Sequence, residues 1–244
     1  MDLKEVNQFN KNRHPWEISR CISLLNILKE GQPNASYADI GSGDLFFAKE
    51  LRKSTSKLIY AVDINYKFLE NKGNINKVKN LSSIPRKSLD CVVLLDVLEH
   101  IKEDEEFLGS LLEILKEEGR LLITVPAHQF LYSERDRFSG HFRRYRKKDL
   151  LKLLRKHNLK IKEDFSFYTL LFFVRSIKVL LVNLGVCKIS VKGVGDWRFS
   201  KRHLLTLLIT NILNIDFFIN RALAKLGINL VGLSICVVAK KNPV

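Results

Sequence analysis

The sequence contains few cysteines, and their spacing excludes the frameworks that cysteines most often build. The chain has 244 residues and four cysteines, which lie far apart with no C-x-x-C pair. This spacing argues against a disulfide scaffold and against a cysteine-rich metal site. We therefore expect no metal site, and buried free thiols of the kind found in a reducing compartment. The four are Cys21, Cys91, Cys187 and Cys236.

Apolar leaders, internal repeats and low-complexity linkers are also missing. Residues 1–14 are polar, which is not the pattern of a secretory signal, so we expect a cytoplasmic location. A chain of this length can form one large α/β domain, and we expect a single domain over 1–244. Its parts are an N-terminal helical lead-in, a core, a basic loop and an apolar helical insertion, over 1–35, 36–128, 129–148 and 168–228.

Acidic residues are scarce in the second half of the chain. Residues 1–122 contain 18 Lys and Arg against 19 Asp and Glu, whereas residues 123–244 contain 23 against 7. The net charge of +15 therefore comes from the second half. This asymmetry predicts an anionic partner for that half, which nucleic acid, an anionic membrane or a phosphorylated substrate would satisfy.

Apolar runs alternate with amphipathic segments along the chain. This alternation predicts a doubly wound parallel sheet, in which ligands bind beyond the carboxyl ends of the strands. We predict strands at 36–41, 57–63, 77–81, 89–95, 120–125, 160–167 and 233–239. We predict helices at 15–31, 44–54, 103–118 and 148–157, and a loop over 128–148.

The most informative segment is the first strand and the turn after it. Asp39 ends an apolar run and is followed by Gly41-Ser42-Gly43 and a helix-like stretch. Such a turn presents backbone N–H groups and a positive helix end to a ligand. Asp63 ends the next apolar run, where a carboxylate accepts hydrogen bonds from the hydroxyls of a ribose. Together these residues predict a site for a nucleoside cofactor.

The third glycine of the dinucleotide fingerprint is absent, because Phe46 occupies its position. A phenylalanine there leaves little room for a pyrophosphate, and the charge of Asp39 would repel one. A cofactor with a cationic amino-acid end fits better, since its carboxylate meets backbone N–H groups and its ammonium meets an acid.

At these residues the chain resembles the class I S-adenosylmethionine-dependent methyltransferases, over roughly residues 36 to 128. The resemblance implies a Rossmann-like, seven-stranded sheet, mostly parallel with an antiparallel C-terminal strand, and S-adenosylmethionine as the cofactor. The helical insertion precedes that last strand. Two departures are Leu45, where many relatives have a further glycine, and Asn80, where the family often has an acid. The implied cofactor contacts are Asp39, Gly41, Ser42, Gly43, Asp63, Ile64, Asn80, Leu81 and Asp96.

The string that follows the fourth strand carries candidate chemistry. In Asp96-Val97-Leu98-Glu99-His100, the part VLEH resembles ubiquinone-type O-methyltransferases. An imidazole suits a general base for a hydroxyl, because its ordinary pKa lies near neutral pH. Alternatively, Glu99 and His100 cap the next helix and close the pocket. The N-P-P-Y-like string of methylases that act on nucleobase or protein amide nitrogens is absent.

The basic loop resembles a bacterial subgroup of these methyltransferases with the pattern Y-S-x-x-D-x-x-x-G-H-x-R-R-Y, often placed among cell-envelope glycan functions. Paired arginines suit a phosphate or carboxylate. The alternative is a solvated or internally paired loop, for example Asp136 with an arginine. The candidate substrate contacts are Tyr132, Asp136, Arg143, Arg144 and Tyr145. The candidate bases are His100, His128 and His141, and the choice among them stays open.

The apolar insertion has the length of a membrane span between Phe167 and Leu184. Arg175 and Lys178 lie in its middle, which is costly for a lipid-exposed helix, and residues 203–215 are too short to span. The alternatives are helices buried against the sheet, or an amphipathic cap that lies on a membrane or closes over a greasy substrate.

The expected function is O-methylation of a small or lipid-linked anionic acceptor, such as an envelope-glycan or isoprenoid-quinone precursor. The expected location is cytoplasmic, with peripheral contact at the inner face of an anionic membrane, and no nucleic-acid partner. An RNA methyltransferase is the first rival, on the charge of the second half. A scaffold or sensor that keeps the cofactor fold without catalysis is the second.

Overall fold

One sheet of seven strands organises the computed structural model, which describes residues 12–31, 34–69, 71, 73–186, 197 and 199–243. The strand order is β3-β2-β1-β4-β5-β7-β6. The pairings among β1 to β5 are parallel, and β7 is antiparallel to both of its neighbours. The predicted sheet is therefore confirmed. The strands are β1 Tyr37–Ile40, β2 Ile59–Val62, β3 Ile75–Val78, β4 Leu89–Leu95, β5 Leu115–Pro126, β6 Leu159–Phe167 and β7 Ser234–Lys241.

Helices cover both faces of the sheet and divide the core into two halves. One half is packed by α1, α2 and α7, and the other by α3 and α5. Cys21, Cys91 and Cys236 are buried free thiols, as expected, and Cys187 lies outside the described residues. The helices are α1 Pro15–Gly31, α2 Phe46–Leu51, α3 Asp104–Ile114, α4 Glu134–Phe138, α5 Lys147–Lys156, α6 Thr169–Asn183 and α7 Leu204–Lys225.

The strand register brings three loops to one edge of the sheet. Ile40 at the end of β1 pairs with Val62 of β2 on one side and with Leu94 of β4 on the other. The residues that follow these three strands are therefore neighbours, although they are far apart in sequence. This edge is the carboxyl end of the parallel strands, where open α/β sheets bind their ligands.

The helix predicted at 103–118 ends four residues earlier than predicted, and the next strand begins earlier than predicted. The helix ends at Ile114, and β5 starts at Leu115, which pairs with Leu89 of β4 and is fully buried. The charged residues that follow suited a helix by pattern. In the fold, Lys116 instead pairs with Asp90, and Glu117 pairs with Lys87 and Lys241. Strand pairing and these ion pairs override the helical pattern.

Two further local predictions need correction. The third strand was placed at 77–81 but is Ile75–Val78, because Ile75 is the residue that pairs with Ile59 and fills the core. The segment 128–148 is not wholly a loop. It contains α4, whose first turn is held by a capping box in which the Ser133 and Asp136 side chains bond each other's backbone N–H groups.

The insertion is not simply a pair of helices buried against the sheet. No residue of α6 is buried, whereas α7 buries one stripe against the sheet and α1 and exposes the rest. Among the described helices, α7 alone is long and apolar enough to cross a membrane by length and composition. The helix α7 extends to Lys225, well beyond the apolar run 203–215 that the sequence analysis considered too short to span a membrane. The polar residues in its second half have tertiary partners. Asp216 accepts hydrogen bonds from the first N–H groups of α6, and Arg221 pairs with Glu30 and Glu163.

Candidate active site

The glycine turn after β1 is held tightly against β2. The N–H groups of Gly41 and Ser42 both donate to the carbonyl of Val62, at 2.8 and 3.0 Å. Gly41 has φ of +68°, and a Cβ there would lie 2.6 Å from Cγ2 of Val97. Only glycine combines this backbone conformation with this close approach. The backbone of the turn therefore lies close to the ends of the strands, where a ligand can approach it.

Asp63 connects the two loops of the predicted cofactor site. One carboxylate oxygen accepts from the N–H of Gly43 and the other from the N–H of Asn65, both at 2.9 Å. Ile64, which follows, is 77% exposed. Asn80 and Leu81 lie just beyond the end of β3, at the start of a 3₁₀ turn. The cofactor contacts implied by the sequence thus lie on loops at the same sheet edge.

Asp39 is a buried carboxylate with an incomplete set of partners. Its side chain is 2% exposed, and Oδ2 has no hydrogen-bond partner. Burial raises the pKa of Asp39 to about 7. An unpaired buried acid beside a glycine turn suits a ligand that brings its own cation. The amino-acid end of S-adenosylmethionine has such a cation, so these residues fit that cofactor.

Two arginines that the sequence analysis missed cover this end of the site. Arg13 pairs with Asp44, and its guanidinium lies 4.2 Å from the centre of the Phe46 ring. Arg20, buried on α1, pairs with Asp96 after β4. Both arginines line the small pocket around Asp39 and the glycine turn. Arg13 precedes α1 and Arg20 lies within it, so no local pattern in the sequence placed them at this site.

A larger cavity of about 360 Å³ opens beside the end of β4. Its wall from α1, α6 and the segment before β7 is partly apolar, with Trp16, Leu171, Val174 and Leu233. The remaining lining is dominated by titratable side chains, namely His14, Arg20, Asp96, Glu99, His100, Arg135, Asp136, His141, Arg144, Tyr168, Arg175 and Lys178. The lining of the cavity thus combines apolar and charged side chains, with basic groups in the majority among the charged ones.

Asp136 is the centre of the charged wall. Its carboxylate, 2% exposed, contacts Arg144 at 2.6 Å, Arg175 at 3.3 Å and Nδ1 of His141 at 3.3 Å. It also accepts from the backbone and side chain of Ser133. Burial alone would raise the pKa of Asp136, but the His141 contact and the charge of Arg144 hold it well below its usual range. One carboxylate thus holds two guanidinium groups beside the cavity and leaves a local excess of positive charge.

Two of the three candidate bases lie together in the cavity. The rings of His100 and His141 are 4.6 Å apart and perpendicular, next to the fully buried Glu99. Burial, and then the charge of Asp96, raises the pKa of Glu99. His128 is elsewhere: its ring packs on Phe130 and Phe172, and it is not part of the cavity lining.

The predicted substrate contacts divide in the same way. Asp136 and Arg144 line the cavity. Tyr132 donates to the carbonyl of His141 at 2.7 Å, so it supports the loop. Arg143 and Tyr145 both bond to Asp104 of α3, at 2.9 and 2.7 Å. Internal pairing, the alternative left open by the sequence, is thus what the structure shows for both arginines.

Comparison with known families matches this arrangement to one model, described as a methyltransferase domain, over residues 11–163. That is well over half of the chain. The chain belongs to this family. It is therefore a methyltransferase, and together with the cradle around Asp39 the family supports S-adenosylmethionine as the cofactor. Among curated proteins, none matches the sequence of this methyltransferase.

Solved structures agree on the fold of the methyltransferase. A SAM-dependent methyltransferase from Archaeoglobus fulgidus is similar with a TM-score of 0.53 and 21% identity, covering 93% of this chain and 94% of that chain. The [4+2]-cyclase SpnF has a TM-score of 0.59 and 15% identity, covering 96% and 85%.

Phosphoethanolamine N-methyltransferase 2 from Haemonchus contortus, solved with S-adenosyl-L-methionine, has a TM-score of 0.57 and 18% identity. The match covers 93% of this chain but 53% of that chain. At these identities the similarities establish the fold, and a cyclase among them shows that the fold does not fix the acceptor.

Proposed function

We propose that this methyltransferase transfers the methyl group of S-adenosylmethionine to a hydroxyl oxygen of a small or lipid-linked anionic acceptor. The observation that carries the proposal is the cavity beside Asp96, whose lining combines apolar side chains with several arginines. The apolar wall suits a hydrocarbon or isoprenoid portion, and the arginines suit a phosphate or carboxylate. Envelope-glycan and quinone precursors combine these two features.

The chain's own residues have simple tasks in such a reaction. When bound, S-adenosylmethionine supplies an activated methyl group. Asp39, Asp63 and the glycine turn would hold it at the strand ends. Arg20 lines both pockets and pairs with Asp96 of the larger one. The cavity walls position the acceptor and exclude water. His100 or His141 would accept the proton that the hydroxyl loses.

The lipid-linked part of the proposal is supported by the surface beside the cavity. Val174, Arg175 and Lys178 of α6 line the cavity, while Phe173 and Ile177 of the same helix are 54% and 58% exposed. The outer face of α7 carries further exposed leucines and isoleucines. Apolar side chains with neighbouring basic residues are what an interfacial helix needs to lie on an anionic membrane.

Calorimetric titration with S-adenosylmethionine and S-adenosylhomocysteine tests the cofactor part. We expect micromolar binding by the wild type, strong loss in Asp63→Ala, and no change in the control Asp149→Ala on the exposed side of α5. The absence of binding to either ligand would leave the scaffold or sensor as the better explanation.

Transfer of a labelled methyl group to fractionated extracts tests the acceptor. We expect label in the lipid-extractable fraction or in small anionic molecules. The labelled methyl group should be bound to oxygen, as a methyl ether or a methyl ester. Label in RNA, or on a nitrogen atom, would contradict the proposal. Flotation with anionic vesicles should recover the wild type and lose Phe173→Asp/Ile177→Asp, whereas equal recovery of both proteins would exclude this membrane contact.

A further inference from the structure

Three side chains at the base of the large cavity form a cluster with the composition of a metal site. Glu99 and His100 lie in the 3₁₀ turn after β4, and His141 lies in the loop after α4. One potential ligand atom from each side chain lies within 4.8 Å of the others. The cluster combines one carboxylate with two imidazoles. Both groups are common ligands of divalent transition metals such as zinc.

Glu99 lacks the partners that a buried acid requires. It is 0% exposed, and neither carboxylate oxygen accepts a hydrogen bond from another described residue. The nearby arginines are committed elsewhere, since Arg20 pairs with Asp96, and Arg144 and Arg175 pair with Asp136. Leaving a buried carboxylate without a partner is costly, and a bound cation would remove that cost.

His141 lies beside a buried carboxylate. Its Nδ1 is 3.3 Å from Oδ1 of Asp136 without forming a hydrogen bond to it, and the opposite nitrogen, Nε2, is left for another partner. A carboxylate on the far nitrogen is the usual support of a metal-bound histidine, because it fixes the ring and the tautomer. Asp136 is itself fixed by Arg144 and Ser133. The carboxylate that would support a metal-bound His141 is therefore already beside the ring, although the hydrogen bond to Nδ1 is not formed.

The two segments that carry the cluster are joined by the backbone. The N–H of Phe142 donates to the carbonyl of Glu99 at 2.8 Å, next to the candidate ligands on both segments. Such a bond keeps His141 beside Glu99 and His100, and a site that is held together in advance loses less entropy on binding a metal.

We propose that Glu99, His100 and His141 bind one divalent transition-metal ion of the zinc type. Three protein ligands leave the remaining coordination positions open, as in catalytic rather than structural zinc sites. These positions face the cavity that the three residues line. The binding itself does not depend on the acceptor. Its role rests on the proposed function, in which the ion would bind the acceptor oxygen and lower the pKa of its hydroxyl, so that with metal bound His100 and His141 act as ligands and not as the base.

The sequence did not indicate this site. Its ligands include no cysteine, and His141 is 41 residues from His100 along the chain. The expectation of no metal site rested on the cysteines alone, so it did not address a site made of histidine and glutamate.

Metal binding can be measured without any acceptor. Full-length protein stripped with a chelator would be titrated with ZnCl₂ by calorimetry and with CoCl₂ by visible absorption, which reports nitrogen ligation. We expect about one equivalent to bind the wild type and the control His157→Gln, which lies outside the cluster. We expect Glu99→Gln and His141→Asn each to lose more than about 100-fold in affinity, and Asp136→Asn about 10- to 100-fold.

The outcomes separate this inference from the proposed function. Each sample would also be titrated with S-adenosylmethionine, which reports an intact fold and cofactor site. Wild-type protein that binds this cofactor but no metal, or a His141→Asn variant that binds metal as the wild type does, would overturn the metal site alone. If Glu99→Gln does not fold, His141→Asn decides the question. Failure to bind the cofactor would count against the proposed function and leave the metal titration to be judged by itself.

Discussion

Arg175 of α6 lies 3.3 Å from the carboxylate of Asp136, which joins the apolar insertion to the basic loop. Arg175 also donates to the hydroxyl of Ser133 at 2.6 Å. Burial lowers the pKa of Arg175, so this guanidinium depends on its carboxylate partner. The same helix exposes Phe173 and Ile177 on its outer side. One helix thus contributes both to the wall of the cavity and to the proposed membrane contact.

Replacement of Arg175 should affect the acceptor and leave the cofactor unaffected. For Arg175→Met we expect KM for the acceptor to rise about 10- to 100-fold, the size of one lost charge-assisted hydrogen bond. The dissociation constant for S-adenosylmethionine should not change. Steady-state kinetics with the acceptor found by extract labelling would show this, and Arg175→Lys should recover part of the effect. An unchanged KM would mean that Arg175 only holds α6 in place.

Gly41→Ala should destabilise the protein more than a glycine substitution that introduces the same backbone strain without a clash. At Gly41 the new Cβ would lie 2.6 Å from Val97, whereas at Gly73, with φ of +63°, nothing lies within 4 Å. We expect Gly73→Ala to lower the free energy of unfolding by about 1 kcal/mol. Gly41→Ala should cost about 1 to 3 kcal/mol more and weaken cofactor binding.

Urea denaturation of the two glycine variants and the wild type measures these differences. The double variant Gly41→Ala/Val97→Ala should recover part of the loss, because it removes the clashing methyl groups. Equal free energies of unfolding for Gly41→Ala and Gly73→Ala would show that the turn tolerates a Cβ.

The raised pKa of Asp39 predicts a pH dependence of stability. Since its folded-state pKa of about 7 lies above the ordinary value, the folded protein holds a proton that the unfolded chain releases. This contribution to stability is complete below the unfolded pKa and is lost as the pH rises through about 7, with a slope of at most about 1.4 kcal/mol per pH unit.

The comparison of wild type and Asp39→Asn isolates that contribution. Chemical denaturation of the cofactor-free proteins between about pH 5 and pH 7 should give a flatter dependence for Asp39→Asn. The same variant should bind S-adenosylmethionine more weakly, because the neutral amide offers no charge to its ammonium. Identical pH dependence for the two proteins would show that Asp39 does not retain the proton.

Arg221 should be a main anchor of α7. Its side chain is 6% exposed and pairs with Glu30 of α1 at 2.7 Å and with Glu163 of β6 at 2.7 Å. We expect Arg221→Met to lower the free energy of unfolding by about 2 kcal/mol, because it removes charge-assisted hydrogen bonds to two elements. Lys225→Met is the matched control on the same helix. Lys225 is exposed, and its distance of 4.0 Å from Glu163 makes a weaker contact than that of Arg221.

Guanidinium is unsuitable for this measurement because its salt screens ion pairs, so urea is the denaturant of choice. A loss in Arg221→Met no larger than that in Lys225→Met would show that α7 is held by its apolar stripe alone.

Local pattern was sufficient where a residue's role depends on its neighbours in sequence. The positive φ of Gly41 is a property of its own turn, although the close approach of Val97 is not, and β4 is recognisable because a strand buried on both faces is apolar along its length. The class of fold, the glycine turn and the acids at the ends of β1 and β2 followed from such patterns. The end of α3 did not, because Leu115 joins the sheet through a partner 26 residues earlier.

The sequence by itself thus determined a mostly parallel sheet, a methyltransferase family and an unusual, basic second half. Only the tertiary structure decided what that positive charge does. Asp136 holds Arg144 and Arg175 beside the cavity, while Asp104 draws Arg143 away from it. The pairing of side chains across a fold depends on distances between elements that are remote in sequence. Periodicity carries no information about those distances, and so it could not place His141 beside Glu99.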